Sequence, residues 1–164
     1  MKRIIIILTT VFFALTAQGQ NLFHIGQQSF PCTEIFKLQS NSEEFYINDL
    51  NVLFGKDGEK ALLIVSTKTM NVLIRGILIV YLDNGMVITL KDNGINDYVN
   101  KIASSVYYLT FNDLDKMKKS NINTIRYILE DKNYKDSPFG GNFTASNKEK
   151  MYDFRKVISN FFGI

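Results

Sequence analysis

The sequence predicts an α+β fold: an antiparallel sheet of about seven strands, one short connecting helix, and a C-terminal helix packed on one sheet face. Three observations carry this. Short β-rich runs follow one another with turn residues between them, Asp83-Asn84-Gly85 marks a hairpin, and helical periodicity is confined to two segments. With 164 residues, 46% of them hydrophobic, and two prolines, the chain is long and apolar enough to bury a core without a disulfide or metal.

The first element in order is a leader. Met1-Lys2-Arg3 is positively charged, Ile4 to Ala17 is apolar apart from threonines, and Ala17 and Gly19 supply small residues before Gln20. This pattern predicts a signal peptide over 1–19 and a single α+β domain over 20–164. Fourteen residues fall short of the ~20 that cross a bilayer, and no Cys follows closely enough for lipidation. The expectation is a secreted or periplasmic protein with no stable membrane anchor after leader cleavage. Lys2 and Arg3 are two of 19 basic residues, so the mature chain carries 17 against 16 acidic ones. That balance gives no electrostatic grip on nucleic acid.

Gln20 to Ser42 reads as a loose segment leading into a short strand at Thr33–Leu38. Phe45–Phe54 alternates through Leu50, Val52 and Phe54, and Gly55-Lys56-Asp57-Gly58 follows as a turn. Ala61–Val65 is continuously apolar, as a strand covered on both faces should be. Val72–Leu82 and Met86–Lys91 fold about Asn84-Gly85, which would pair Leu82 with Val87 and Tyr81 with Ile88. That register puts Ile77, Ile79, Tyr81, Ile88 and Leu90 on the fully apolar face.

Ala103–Leu109 alternates, and Thr110 with Asp113 forms a capping box opening a short helix with Phe111, Leu114 and Met117 as its buried stripe. Asp115 and Lys119 are spaced for an ion pair. A strand through Asn123, Ile125, Tyr127 and Leu129 follows, then a loop from Lys132 to Asn142. Ser146 and Glu149 read as a second capping box. They open a terminal helix with Met151, Phe154, Ile158 and Phe161 on one face and Gly163 as its αL cap.

The motifs Asp83-Asn84-Gly85, Asp97-Tyr98-Val99, Tyr107-Tyr108-Leu109-Thr110, Ile122 to Ile128 and Thr144-Ala145-Ser146-Asn147-Lys148 together resemble small exported proteins of the Bacteroidetes phylum. The likeness covers about the last half of the mature chain. Its motifs are turns, caps and strands, so it implies no activity.

Catalytic equipment is sparse: one Cys, one His and no Trp. Cys32 reads as a small buried hydrophobe, since its only potential base is His24, eight residues upstream. Lys91 to Asp97 has the composition of a calcium loop but lacks the glycine and glutamate positions of an EF-hand, so it reads as a turn. Glu43-Glu44 and Glu130-Asp131 are adjacent pairs that point to opposite faces of a strand. Lys116, Lys118 and Lys119 read as the wet face of a helix. No catalytic, cofactor-binding or metal-binding residue is assigned, and no cofactor is implied. The expectation is a non-catalytic binding or interaction module with a protein or glycan partner. The alternative is a small exported hydrolase using surface carboxylates. Tyr134, Phe139 and Asn142, in the longest irregular stretch, are the candidate partner contacts.

Overall fold

The computed structural model describes residues 21–43, 47–131 and 140–164, among which are eleven strands and two helices. The strands are β1 (Asn21–Ile25), β2 (Gln28–Cys32), β3 (Phe36–Ser40), β4 (Leu50–Asp57), β5 (Lys60–Lys68), β6 (Val72–Leu82) and β7 (Val87–Leu90). They continue as β8 (Asn96–Val99), β9 (Ile102–Leu109), β10 (Ile122–Asp131) and β11 (Gly141–Ser146). Helix α1 spans Phe111–Lys119 and α2 spans Phe154–Phe162, preceded by a 3₁₀ turn at Lys148–Lys150. The strand order is β7-β6-β10-β11-β3-β4-β5-β9-β8, with the β1–β2 hairpin attached to β4 at Cys32↔Gly55. Every pairing is antiparallel.

The sheet-dominated α+β class is as expected, but the described residues form eleven strands against the seven that the sequence predicts. Two extra strands come from the segment expected to be loose. Gly26, at φ 55°, occupies the first position of a two-residue turn that pairs Ile25 with Gln28. Two more come from stretches read as turn and loop. Asn96–Val99 folds onto β9 through Asn100 and Lys101, whose φ values of 52° and 64° fit a type I′ turn. Gly141 and Asn142, expected at the end of the loop, already belong to β11.

The sheet curls until β6 approaches β8 and β9 from across the interior. Polar links tie the two ends: Gly76 N–H donates to Asp92 Oδ2 at 3.0 Å, and Asn71 N–H donates to the Tyr98 hydroxyl at 2.7 Å. The main core fills the curl with inward side chains from β3, β4, β5, β6, β9 and β10, together with Phe154 and Ile158 of α2. Phe154 packs edge-on against Phe36 and Phe54, with ring centroids 5.4 and 6.0 Å apart.

The terminal helix therefore lies on the core as expected, but it begins at Phe154, eight residues after Ser146. Ser146 is a ladder residue opposite Gln39 and Thr124, and its hydroxyl meets Asn41 and Thr124. It cannot also cap a helix. Met151, expected in the buried stripe, is 70% exposed because it precedes the helix. Gly163 closes α2 in the left-handed region, its N–H bonding Ser159 O at 3.0 Å. In α1 the capping box between Thr110 and Asp113 is present, as is the Lys119–Asp115 ion pair at 2.6 Å. Phe111, however, faces solvent, and only Leu114 and Met117 form the buried stripe.

The β6–β7 hairpin corrects the expected register by one residue. Gly85, at φ 83°, closes a three-residue loop, with Leu82 N–H bonding Met86 O and Gly85 N–H bonding Leu82 O. Tyr81 thus pairs with Val87 and Val80 with Ile88. A single-residue slip exchanges faces. The inward set is Leu78, Val80, Leu82, Ile88 and Leu90, while Ile77 is exposed.

A second, smaller core sits on the outer face of the sheet. The β1–β2 hairpin lays Ile25, Phe30 and Cys32 over Leu53, Leu62, Ile64 and Val106. This explains the unbroken apolar run in β5: alternate residues serve the inner and outer cores, so no position is left for a polar side chain.

Candidate functional site

The register across the outer face exposes a change of chemistry. Across β4, β5 and β9 run the rows Gly55–Leu62–Tyr108 and Leu53–Ile64–Val106, both beneath the hairpin. The next row is Asn51–Ser66–Ser104, extended onto β8 by Asp97. The row after it pairs Lys68 with Ile102 and Ile102 with Val99. A polar strip therefore crosses four strands at the edge of the hairpin's cover.

This strip lines a groove of about 310 Å³ together with Phe23, His24 and Ile25 of β1, Ile35 beside β4, and Val99 and Ile102 on β8 and β9. Ile35, Val99 and Ile102 are 56%, 56% and 42% exposed, so apolar side chains meet water at both ends of the strip. Ser66 is buried, and its Oγ accepts from Asn51 Nδ2 at 3.3 Å, which leaves its own proton to donate. Asp97 anchors the hairpin tip: its Oδ2 accepts from Gly26 N–H at 3.2 Å, and its Oδ1 accepts from Tyr98 N–H at 2.7 Å.

Strand β1 lines the groove and pairs only with β2 among the described residues. In a hairpin with a two-residue loop the pair flanking the turn is hydrogen-bonded, and bonding then alternates. Ile25, Phe23 and Asn21 thus bond to β2, while Leu22 and His24 turn their N–H and C=O outward. Natural edges are usually blunted by charge, proline or a bulge. Asn21–Ile25 carries no Lys, Arg, Asp, Glu or Pro, and its pairing runs without a register break.

The chemistry of the single His is modest. Ser29 Oγ lies 2.7 Å from His24 Nδ1, but both are exposed cross-strand neighbours on the hairpin. Solvent supplies neither the desolvation nor the fixed dipoles that nucleophilic catalysis needs. Cys32 is buried in the outer core, and burial pushes its thiol pKa up, away from the reactive thiolate. In the 91–97 segment, Asp92 and Asn93 spend their side-chain oxygens on the N–H groups of Gly76, Gly94 and Ile95. These are backbone roles, as a turn requires.

Of the expected contact residues, Tyr134 and Phe139 lie outside the described residues. Asn142 is an exposed β11 residue whose Oδ1 accepts from Arg126 Nη2 at 2.9 Å. Of the acidic pairs, Glu43 and Glu130 are exposed, Asp131 is half-buried at the end of β10, and Glu44 lies outside the described residues. Sequence reasoning missed the groove because its polar strip exists only once four strands are in register. The available signal was Ser66 and Ser104, small polar residues inside otherwise apolar strands.

No helix among the described residues is long and apolar enough to cross a membrane. No family model, curated protein or solved structure matches this chain.

Proposed function

We propose that this protein is an exported, non-catalytic binding module that takes an extended polypeptide segment into the groove beside β1. The observation that carries the reading is the outer edge of β1, which lacks charge, proline and bulge, beside a polar strip with exposed apolar side chains at its ends. Strand addition uses those parts in combination: main-chain hydrogen bonds give affinity, and alternate side chains of the guest meet different surfaces. Guest side chains pointing inward would meet Asn51, Ser66, Ser104 and Asp97, with Ile35 at one end of the strip and Val99 and Ile102 at the other. Between a protein and a glycan partner, a strand edge that pairs with nothing else among the described residues favours the protein, because a sugar cannot complete a β-ladder. The charged leader and its small-residue end support export, and intact mass of protein from the native host tests it. A chain retaining 1–19 would overturn that part.

Selection of random peptides on the purified protein tests the binding reading. Recovered peptides should bind the wild type and fail on Leu22→Pro, which removes an outward N–H without removing a bond to β2. A Leu22→Pro protein that keeps its thermal midpoint and still captures the same peptides would overturn the assignment.

A further inference from the structure

A second cavity, of about 320 Å³, lies where the β6–β7 turn, the end of α1 and the segment before α2 meet. Its lining includes Asn84, Ser120, Lys119, Lys150 and Arg155, with Asp83 as the one carboxylate. We infer that this pocket binds a small oxyanion group of the phosphate or sulfate type, independently of the groove beside β1. Neutral donors are available there. Ser120 Oγ accepts from Asn84 N–H at 3.0 Å, so its hydroxyl proton is left to donate, and it is nearly buried. Asn84 Oδ1 accepts from Met86 N–H at 3.1 Å, which leaves the amide NH₂ as a donor. The three cations come from separate elements. Lys119 pairs with Asp115, Lys150 with Asp83 at 3.2 Å, and Arg155 with Asp153 at 2.8 Å. The lysine side chains are 67% and 72% exposed, so Lys119 can turn from its surface pair to a divalent anion, and Lys150 can keep one N–H on Asp83 while donating another to the anion. Arg155 binds Asp153 through Nε and Nη2 and keeps Nη1 for another acceptor. Asp83 is already occupied by Asn123 Nδ2 on Oδ1 and by Lys150 on Oδ2.

The backbone argues for the same place. Glu149 and Lys150 stand at φ 55° and 51°, a left-handed conformation that crowds the Cβ of an L-residue against the following carbonyl. Strain of this kind persists where surroundings over-determine it, and it gathers at functional sites. Here the buried Asn147 fixes the turn. Its carbonyl accepts from Lys150 N–H at 3.1 Å, and its side chain bonds Ile122 O and both backbone groups of Tyr152. The outcome of that strained turn is Lys150 placed over Asp83, at the pocket.

The test is amide chemical-shift titration of the full protein with inorganic phosphate, inorganic sulfate and phenyl phosphate, against chloride at matched ionic strength. Saturable shifts confined to Asn84, Ser120 and the 147–155 segment, absent with chloride, are the expected result. Lys150→Gln and Ser120→Ala should each weaken binding by about tenfold at a retained thermal midpoint. Tighter binding of phenyl phosphate assigns the site to an esterified group, and equal binding assigns it to the free ion. Shifts that follow ionic strength alone, scatter over lysines elsewhere, or survive both substitutions would overturn the inference.

Discussion

Replacing Asn147 by Ala removes the side chain that ties α2 to the sheet, and the cost follows from the groups it leaves behind. Asn147 is buried at 7% exposure, donates to Ile122 O at 3.1 Å and to Tyr152 O at 2.9 Å, and accepts from Tyr152 N–H at 3.1 Å. Tyr152 O keeps a partner in the variant, because Asn121 Nδ2 also donates to it at 2.8 Å. Ile122 O and Tyr152 N–H are left unpaired, at about 1–3 kcal/mol each. Relaxation of the left-handed turn at Glu149 and Lys150 returns part of this, so a net loss of roughly 3 kcal/mol is expected. For a domain of this size that lowers the thermal midpoint by roughly 6–12 °C. Urea unfolding measures it, with Asn123→Ala as the comparison, since Asn123 is exposed and its bond to Asp83 contributes about 1 kcal/mol or less. An Asn147→Ala protein as stable as Asn123→Ala would refute the claim that this asparagine docks the helix.

Phe154→Ala, which empties a fully buried site between Phe36 and Phe54, should cost about 3–5 kcal/mol in denaturant unfolding, and an unchanged midpoint would show that α2 does not pack inside the curl. Tyr127→Phe should leave stability unchanged or raise it, because the Tyr127 hydroxyl is buried without a hydrogen-bond partner among the described residues; a loss above about 1.5 kcal/mol would reveal a partner. Burial pushes the phenols of Tyr107, up to about 12, and of Tyr127, higher still, above the value of about 10 in an unfolded chain. The folded state therefore binds more protons than the unfolded one above pH 10, and stability holds below that pH and falls as pH rises from about 10 to 12, by roughly 2–3 kcal/mol for Tyr107 alone. Alkaline unfolding curves check this, and Tyr107→Phe should flatten them.

Local signals in the sequence specify structure where one element decides its own geometry. Thr110 and Asp113 sit at a helix start, Gly163 at a helix end, and Asp115 and Lys119 one turn apart, and none of these needs a distant partner. Signals that depend on neighbours specify it less completely. Ser146 and Glu149 have capping-box spacing, yet Ser146 is held in β11 by pairing with β10 and β3, and tertiary pairing overrides the local motif. Asn84-Gly85 correctly marks a hairpin, but loop length sets the register, and three residues in place of two turn Leu78, Val80 and Leu82 inward opposite Ile88 and Leu90 where Ile77, Ile79 and Tyr81 were expected. Phe23, Ile25, Phe30 and Cys32 alternate in a Gln-rich stretch whose apolar content is too low to announce strands. Their purpose appears only when the outer face of β4, β5 and β9 is there to receive them. The groove is one step further removed, since Asn51, Ser66, Ser104 and Asp97 are distant in sequence and become a strip through register alone.

Hydrogen exchange at Leu22 and His24 tests the central claim most directly. In the free protein their amides face water and should exchange quickly, while those of Phe23 and Ile25, bonded to β2, are slower. Adding a selected peptide should slow Leu22 and His24 together and leave the amides of β7, the edge strand at one end of the curled sheet, unchanged. Peptide binding that protects another edge, or leaves Leu22 and His24 exchanging as before, would contradict strand addition at β1.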